Sequence, residues 1–508
     1  MNRTHMKIVL SVLISLVCTP LWSQNYEADI LRFSNNNYSG TARFVALGGA
    51  FGSVGADISN FSFNPGGIGM YRTSVVQITA GANYSNYNST YFDKANQDVK
   101  VNAVLPSVGI VFANTKTSKN GLFRSSAFGI AFNRLGEYNY SEKVEVFNTS
   151  PGSSLSWNWA NEISSVYNGA YVNETSLDEV SFNTYTGFYG YLANFDSAVL
   201  DYTSPVVDSF LQTRYLDVKG GKNEMVISAG ANYLDKLYFG ATIGLPLLNY
   251  ASDSRFIESD TANSLANTFF NEFELKEKYQ TEGIGVNMKF GIIYKINDWI
   301  RVGGGFQTPE RIGLTERYSS TLTSNFEVNS ITGNTNYSIE TGEGVFDYRV
   351  RLPWKANLGA SLFFRDKGFV SADYEAVGYN AMRYTFSNDF KEVSDRINLG
   401  LKAKYQVGHN VRVGIEGVIN KFRIRGGYAY SGSPIKKEYA VEGFNFSRHT
   451  VSGGFGFLFA KIALDFAYQH NVSRQFEQPY IVDNAIVSGV NRSINQGMGI
   501  VSLAYKLN

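Results

Sequence analysis

The stretch Ile284-Gly285-Val286-Asn287-Met288-Lys289-Phe290-Gly291-Ile292-Ile293-Tyr294 decides the fold. Every even position is apolar. The odd positions are glycine or polar, with Ile293 the exception. A β-strand sends successive side chains to opposite faces, so this run has one apolar and one polar face. The pattern recurs on both sides of it. Leu352, Trp354, Ala356, Leu358, Ala360, Leu362 and Phe364 alternate with Lys355, Asn357 and Ser361. Ile397, Leu399, Leu401, Ala403 and Tyr405 alternate with Asn398, Gly400, Lys402 and Lys404. Ile462, Leu464, Phe466 and Tyr468 do the same with Asp465 and Gln469.

These runs are long. Globular strands average about 5–6 residues, and a tilted strand crossing a bilayer needs about 9–11. Fourteen strands are predicted, at 73–92, 103–113, 126–147, 224–234, 237–250, 277–296, 299–319, 345–365, 368–386, 395–408, 410–429, 447–460, 462–475 and 493–507. Tight turns separate some of them: Asp235-Lys236, Asn297-Asp298, Asp366-Lys367-Gly368, His409 and Lys461. Long connections separate others: 149–223, 251–276, 320–344, 430–446 and 476–492. Short turns at one end and long loops at the other are the layout of an outer-membrane barrel. Lipid offers no hydrogen-bond partner, so such a sheet must close. The expected fold class is all-β: a transmembrane antiparallel β-barrel of about fourteen strands with an N-terminal plug in its lumen. A soluble sandwich would have shorter strands, and no 40–50-residue repeat supports a propeller.

The N-terminus reads as an export signal. A basic stretch from Arg3 to Lys7 precedes an apolar run from Ile8 to Cys18, too short to span a bilayer as a helix. Cleavage is expected after Ser23. Cys18 is the only cysteine, so the mature chain would hold no disulfide and no Cys metal site. The expected domains are a signal peptide (1–23), a hatch (24–72) and a barrel (73–508) whose longest outer loop is 149–223. The 33 Tyr, 37 Phe and 49 Gly suit interfaces, strands and close backbone contacts. A net charge of +1 gives no reason to expect a nucleic-acid partner.

Residues 24–72 lack sustained alternation and are rich in glycine. A barrel of fourteen strands is wider than its own side chains can fill, so this segment is expected inside it. Here the sequence resembles the FadL/TodX (OmpP1) family of outer-membrane hydrophobic-compound transporters. The resemblance rests on Ala46 to Gly69, with Asn64-Pro65-Gly66 where relatives carry Asn-Pro-Ala. It extends to Phe132-Asn133-Arg134-Leu135-Gly136-Glu137-Tyr138, like the family's third strand, and to Leu352-Pro353-Trp354 through Asp373-Tyr374, like its central hairpin. It implies passive uptake of a hydrophobic small molecule, such as a fatty acid or aromatic hydrocarbon. Ligand would be captured on outer loops, bound in an apolar lumen and released sideways through a kink in the third strand.

The residues speak to that kink independently. Phe128, Ile130 and Phe132 are apolar at even positions, Leu135 at an odd one, and Tyr138 and Tyr140 return to even. A slip containing a glycine marks a bulge or bend. The residues alone leave an opening and a plain bulge equally open, and the resemblance favours the opening. The candidate site residues are therefore the hatch turn Asn64, Pro65 and Gly66, the kink Asn133, Arg134, Leu135 and Gly136, and the candidate ligand contacts Phe44, Phe51, Phe61 and Phe63.

The chemistry of catalysis is thin. His409 is expected in a periplasmic turn, and His449 and His470 fall in line with outward-facing rows, so a nucleophile–His pair in the lumen is not expected. Parity disfavours a His ligand for haem, and Tyr ligation stays open. No metal or cofactor is expected. Inward polar positions Arg301, Asp373, Glu375, Lys402, Lys404, Arg412 and Glu416 carry both signs, unlike a charge-selective filter. The aromatic loop from Trp157 to Tyr202 reads either as a capture surface or as a lid packed on itself. The expected partners are a hydrophobic ligand and outer-membrane lipid, and the expected state is a monomer. The alternative is an outer-membrane barrel that partners a secretion or surface-assembly system, with the long loop as its platform. A water-filled porin is disfavoured by the plug.

Overall fold

The computed structural model describes residues 23–35, 39–92, 94–115, 121–172, 177, 179–260, 270–327, 336–440, 446–477, 480 and 489–507. Residues 1–22 of the expected signal peptide lie outside them.

Fourteen staves form one antiparallel sheet. They are β1 (Val75–Tyr91), β2 (Lys94–Asn114), β3 (Phe123–Glu137, resumed as Tyr140–Asn148), β4 (Phe210–Tyr233), β5 (Leu237–Asp260), β6 (Phe270–Lys295) and β7 (Ile300–Gln307, resumed as Arg311–Phe326). The others are β8 (Gly344–Arg351, resumed as Lys355–Phe363), β9 (Gly368–Gly378), β10 (Val407–Ile419), β11 (Phe422–Ser431), β12 (Arg448–Leu458), β13 (Ile462–Glu477) and β14 (Val490–Lys506). The sheet closes where β14 pairs with β1, from Val75↔Lys506 to Tyr91↔Val490. The alternating run from Ile284 to Tyr294 lies on β6. Ile284, Val286, Met288, Phe290, Ile292 and Tyr294 are each at least 44% exposed on the outer wall, while Asn287 and Lys289 are buried inside. This apolar belt has the length of a bilayer crossing.

The N-terminal segment fills the lumen. It consists of helices α1 (Ser23–Ser34) and α2 (Ala42–Ala46) and two 3-10 turns, Ile58–Ser62 and Pro65–Met70. Thr41 and Asp57 cap the second helix and the first turn through their side-chain oxygens. Over the barrel mouth the long loop folds into α3 (Leu155–Tyr167) and α4 (Phe182–Tyr189).

Three expectations need correction. Residues 395–408 were expected as a strand, but Lys391–Lys404 is a helix, α5, in the connection from β9 to β10. Ser394, Ile397, Leu401 and Tyr405 are buried while Leu399 is 70% exposed. A spacing of four residues fits both the strand period and the helix turn, so the alternation was ambiguous there. Lys402 and Lys404 are consequently not wall positions, and Lys404 pairs with Glu27 of α1 at 2.8 Å. Second, 410–429 is two staves. The chain turns at Asn420-Lys421, with Ile419 opposite Phe422 and Asn420 at φ +54°. The two errors offset each other in the count of fourteen. Third, His409 lies within β10 at its long-loop end, not in a tight turn. The runs 299–319 and 345–365 are each broken once, near Pro309 and Pro353, whose rings cannot donate to a ladder.

Candidate functional site

The hatch is seated against glycines of the wall. Asn64 Oδ1 accepts from Gly66 N at 3.0 Å, and its amide nitrogen donates to Gly52 O at 2.6 Å and Ile292 O at 3.3 Å. Pro65 opens the turn, where its missing N–H costs nothing. A Cβ on Gly66 would stand 2.8 Å from Ile292 N, so glycine at this position is a steric demand of this wall. The wall reciprocates. A Cβ on Gly291 would come within 1.9 Å of Asn64 Oδ1, one on Gly240 within 2.2 Å of Pro65 O, and one on Gly427 within 2.2 Å of Gly48 N.

Beside this seat the wall loses its ladder. β2 and β3 pair from Asn114↔Ser126 to Ser107↔Asn133 and no further. β3 stays on β4, but with a slip between Arg134 and Gly136 that makes Leu135 an extra residue. After Tyr138-Asn139 the resumed segment pairs with β4 alone. β2 slips as well: Leu105 and Pro106 stand where β1 offers only Ala80. Higher up, polar contacts stitch the two staves together. Lys143 N donates to Asp98 at 2.8 Å, Lys100 Nζ to Tyr140 O at 3.4 Å and Asn102 to Glu137 at 3.3 Å. Between the ladder's end at Ser107↔Asn133 and the Asn102–Glu137 contact lies a window edged by residues 103–106 and 134–136.

The kink residues take distinct places around it. Asn133 closes the lower edge, accepting from Ser107 at 2.7 Å and donating to Ser62 of the hatch at 3.0 Å. Arg134 forms an ion pair with Glu137 at 2.7 Å and donates to Gly220 O at 3.1 Å. Ser39, from the hatch, donates to the Arg134 carbonyl. Leu135 is buried, and a Cβ on Gly136 would meet Tyr138 Oη at 3.3 Å. A narrow cavity opens behind the window against Ser39, Val104, Pro106, Arg134, Gly136 and Met498. Pro106 escaped the sequence reading, although a proline inside an alternating run was the signal available.

The four hatch phenylalanines sit elsewhere. Phe44 packs on Phe51 and Phe63 with centroids 5.4 and 6.4 Å apart, and Phe61 packs on Tyr71 at 6.5 Å. All are buried, and none lines the cavity behind the window. The upper lumen is an aromatic chamber occupied by α1. Tyr26, Ile30 and Phe33 pack among Tyr138, Tyr250, Tyr348 and Tyr384. Tyr384 donates to Tyr26 O at 2.7 Å, and Tyr279 donates to Asp29 at 3.0 Å. Over the mouth, Trp159 of α3 packs with Phe256, Phe273 and Leu322 of the wall, so the loop is a lid on its own core. Glu258 accepts from Leu155 N at 3.0 Å at the start of α3 and from Gln212 at 2.8 Å. Burial pushes its carboxyl up to about 7.

Several charged groups in the lumen are ion-paired. Lys222 meets Glu310 at 2.7 Å, Arg412 meets Glu375 at 2.8 Å, and Arg425 meets Glu416 and Asp465 at 2.6 Å each. Lys289 pairs with Glu224. Arg301 lies 3.9 Å over the Phe363 ring, and Asp373 accepts from Gly52 N at 2.7 Å, bracing the hatch. The three histidines among the described residues each bond a tyrosine, in the pairs Tyr374–His409, Tyr428–His449 and Tyr468–His470. These pairs lie on the exposed face of the wall.

A sequence model described as outer membrane protein transport protein (OMPP1/FadL/TodX) matches residues 226–486, just over half of the chain. The chain belongs to the OMPP1/FadL/TodX family. The match includes the Leu352 to Tyr374 hairpin but not the hatch stretch from Ala46 to Gly69. Two crystal structures with this architecture superpose along nearly the whole chain. One is a Pseudomonas aeruginosa FadL homologue, at TM-score 0.53 and 11% identity, covering 94% of this chain and 100% of that one. The other is the P. putida toluene transporter TodX, at TM-score 0.51 and 13% identity, covering 93% and 99%. At such identities the likeness speaks to fold alone. No curated protein matches this member of the OMPP1/FadL/TodX family by sequence.

Proposed function

We propose that this protein is a passive outer-membrane transporter that takes up hydrophobic small molecules and releases them sideways into the bilayer. The observation that carries the reading is the window between β2 and β3. A backbone ladder is expected to be complete within lipid, because unpaired groups there cost several kcal/mol each. A break flanked by one bulge on each stave, beside the hatch and backed by a cavity, is suited to a portal. Family membership and the toluene transport named for TodX point the same way. Ligand would settle under the lid, pass the hatch and leave between Pro106 and Gly136. Since α1 occupies the chamber, it must yield during passage. Transport of this kind needs no cofactor and no chemistry on the ligand. The hatch phenylalanines would hold the plug's shape and meet ligand only as it passes.

The test is uptake of radiolabelled toluene and decane by outer-membrane vesicles with and without the protein. Protein-dependent uptake that disappears in Gly136→Trp supports lateral release. Uptake unchanged by that substitution excludes the window as the route.

A second reading, an interaction platform, draws on two observations: the lumen is filled by α1, and Tyr171, Val199 and Leu200 on the lid are at least 60% exposed. Undiminished uptake after shaving the lid, together with loss of a cell-surface partner, would favour it.

A further inference from the structure

The lumen wall is not polar in the same way all round. From β4 to β11 it carries several buried ion pairs, among them Lys222–Glu310, Arg412–Glu375 and Arg425–Glu416. On β13, β14 and β1 the ion-paired Asp465 and Arg492 lie to either side, and the rows between them, directly behind the window, carry the neutral amides Asn83, Gln469, Asn471 and Gln496. Register fixes their arrangement. Asn83 and Gln469 both pair with Met498, and in the next row Asn471 pairs with Gln496 and Gln496 with Ser85. Asn83, Gln469 and Asn471 are more than nine-tenths buried, and all four amides line the cavity at the window.

Each amide uses only one end within the protein. Asn83 Nδ2 donates to Ser85 at 3.3 Å, and Gln496 Nε2 reaches the same hydroxyl at 3.4 Å. Gln469 Nε2 donates to Asn471 Oδ1 at 3.3 Å, which also accepts from Thr450 at 2.6 Å. That leaves the other ends of Asn83, Gln469, Gln496 and Asn471 without a partner among the described residues, at the edge of the cavity. Those ends remain open to a ligand that can hydrogen-bond with them. Val104, Pro106 and Met498 supply an apolar side to the same cavity. The charges at its rim, Arg134 and Glu137, neutralise each other at 2.7 Å. An ionised head would find no spare cation there, and a bare hydrocarbon would leave the amides unmet.

We propose that this cavity is a head-group site, and that the cargo is an amphiphile with an uncharged hydrogen-bonding head, such as a hydroxyl or a carboxamide, on an apolar body. The proposal rests on the transport reading above and narrows its substrate class. The amides meet the head while the tail lies toward Val104 and Met498 and the window.

The test uses outer-membrane vesicles carrying the full chain, with vesicles lacking it as the baseline, and three tritiated probes of one chain length: 1-decanol, decane and, at pH 8, decanoate. Protein-dependent uptake of decanol should exceed that of the other two at least tenfold. Gln469→Leu, and separately Gln496→Leu, should bring decanol to within about threefold of decane while decane uptake holds, which separates lost recognition from lost folding. Equal uptake of decane and decanol, or faster decanoate, overturns the head-group site and leaves the transport reading standing. A decanol preference that survives both substitutions also overturns it. No protein-dependent uptake of any probe overturns both.

Discussion

Two seams of the same wall behave oppositely. β4 and β5 pair without interruption from Tyr233↔Leu237 at the tight turn to Phe210↔Asp260 under the lid. β2 and β3, of similar reach, pair only from Asn114 to Ser107. The first seam shows what the barrel forms when nothing prevents it. The second shows that a few residues suffice to open it: Pro106 removes a donor, Leu135 adds a residue, and each slip is absorbed by the neighbouring seam. The hatch lies close to both. Ile68 presses on Gly230 of β4, whereas Asn133 of β3 holds Ser62 by a hydrogen bond.

The contrast can be broken most directly by filling the window. Gly136→Trp should lower protein-dependent uptake at least tenfold while the β-sheet circular dichroism and the heat-dependent gel shift stay unchanged. Bulk placed at Gly244 on the closed β4–β5 seam is the poor control, because it would strike the Glu224 carboxylate. Leu247→Trp, on the outer face, should leave uptake as it is. Next in size is the hatch seat. Gly291→Val puts carbon where Asn64 sits and should cost about 1–3 kcal/mol. Hydrogen exchange across 39–72 should quicken, and liposome swelling with small sugars should appear where the parent protein gives none.

The lid offers a subtler handle. The Glu258 carboxyl is raised to about 7 from its usual 4.5 by burial. Between those values the folded lid holds a proton that the unfolded one has released. Its stability therefore falls as pH rises through about 4.5 to 7 and levels off above. Glu258→Gln should flatten that slope, read as lid opening by hydrogen exchange corrected for intrinsic rates at each pH. The smallest effect is expected from Asn64→Ala. Losing a cap costs about 0.5–2 kcal/mol, enough to loosen the turn on β6 and too little to dislodge the hatch.

Legibility followed the same physical divide. The run from Ile284 to Tyr294 was readable because lipid on one side and a packed lumen on the other impose a strict period of two. The turns at Asp235-Lys236 and Asn297-Asp298 were readable for their chemistry. The run from Ile397 to Tyr405 was misread because its buried residues are four apart, a spacing strands and helices share. Asn420-Lys421 was missed because Ile419 and Phe422 flank it without a break in apolarity. At the window, the slip around Leu135 was visible as a change of parity, whereas its counterpart at Leu105-Pro106 was marked only by the proline.

By itself the sequence determined that this chain forms a closed membrane barrel with a glycine-rich plug, since alternation, strand length and loop asymmetry are local properties that a bilayer selects. Tertiary structure alone decided which staves pair and how far. It also placed α1 in the aromatic chamber and gathered Asn83, Gln469, Asn471 and Gln496 around one cavity. Asn83 lies far from the other three in the chain, Gln469 and Asn471 share β13, and only the register of β1, β14 and β13 brings all four amides together, because ladder hydrogen bonds fix which rows meet.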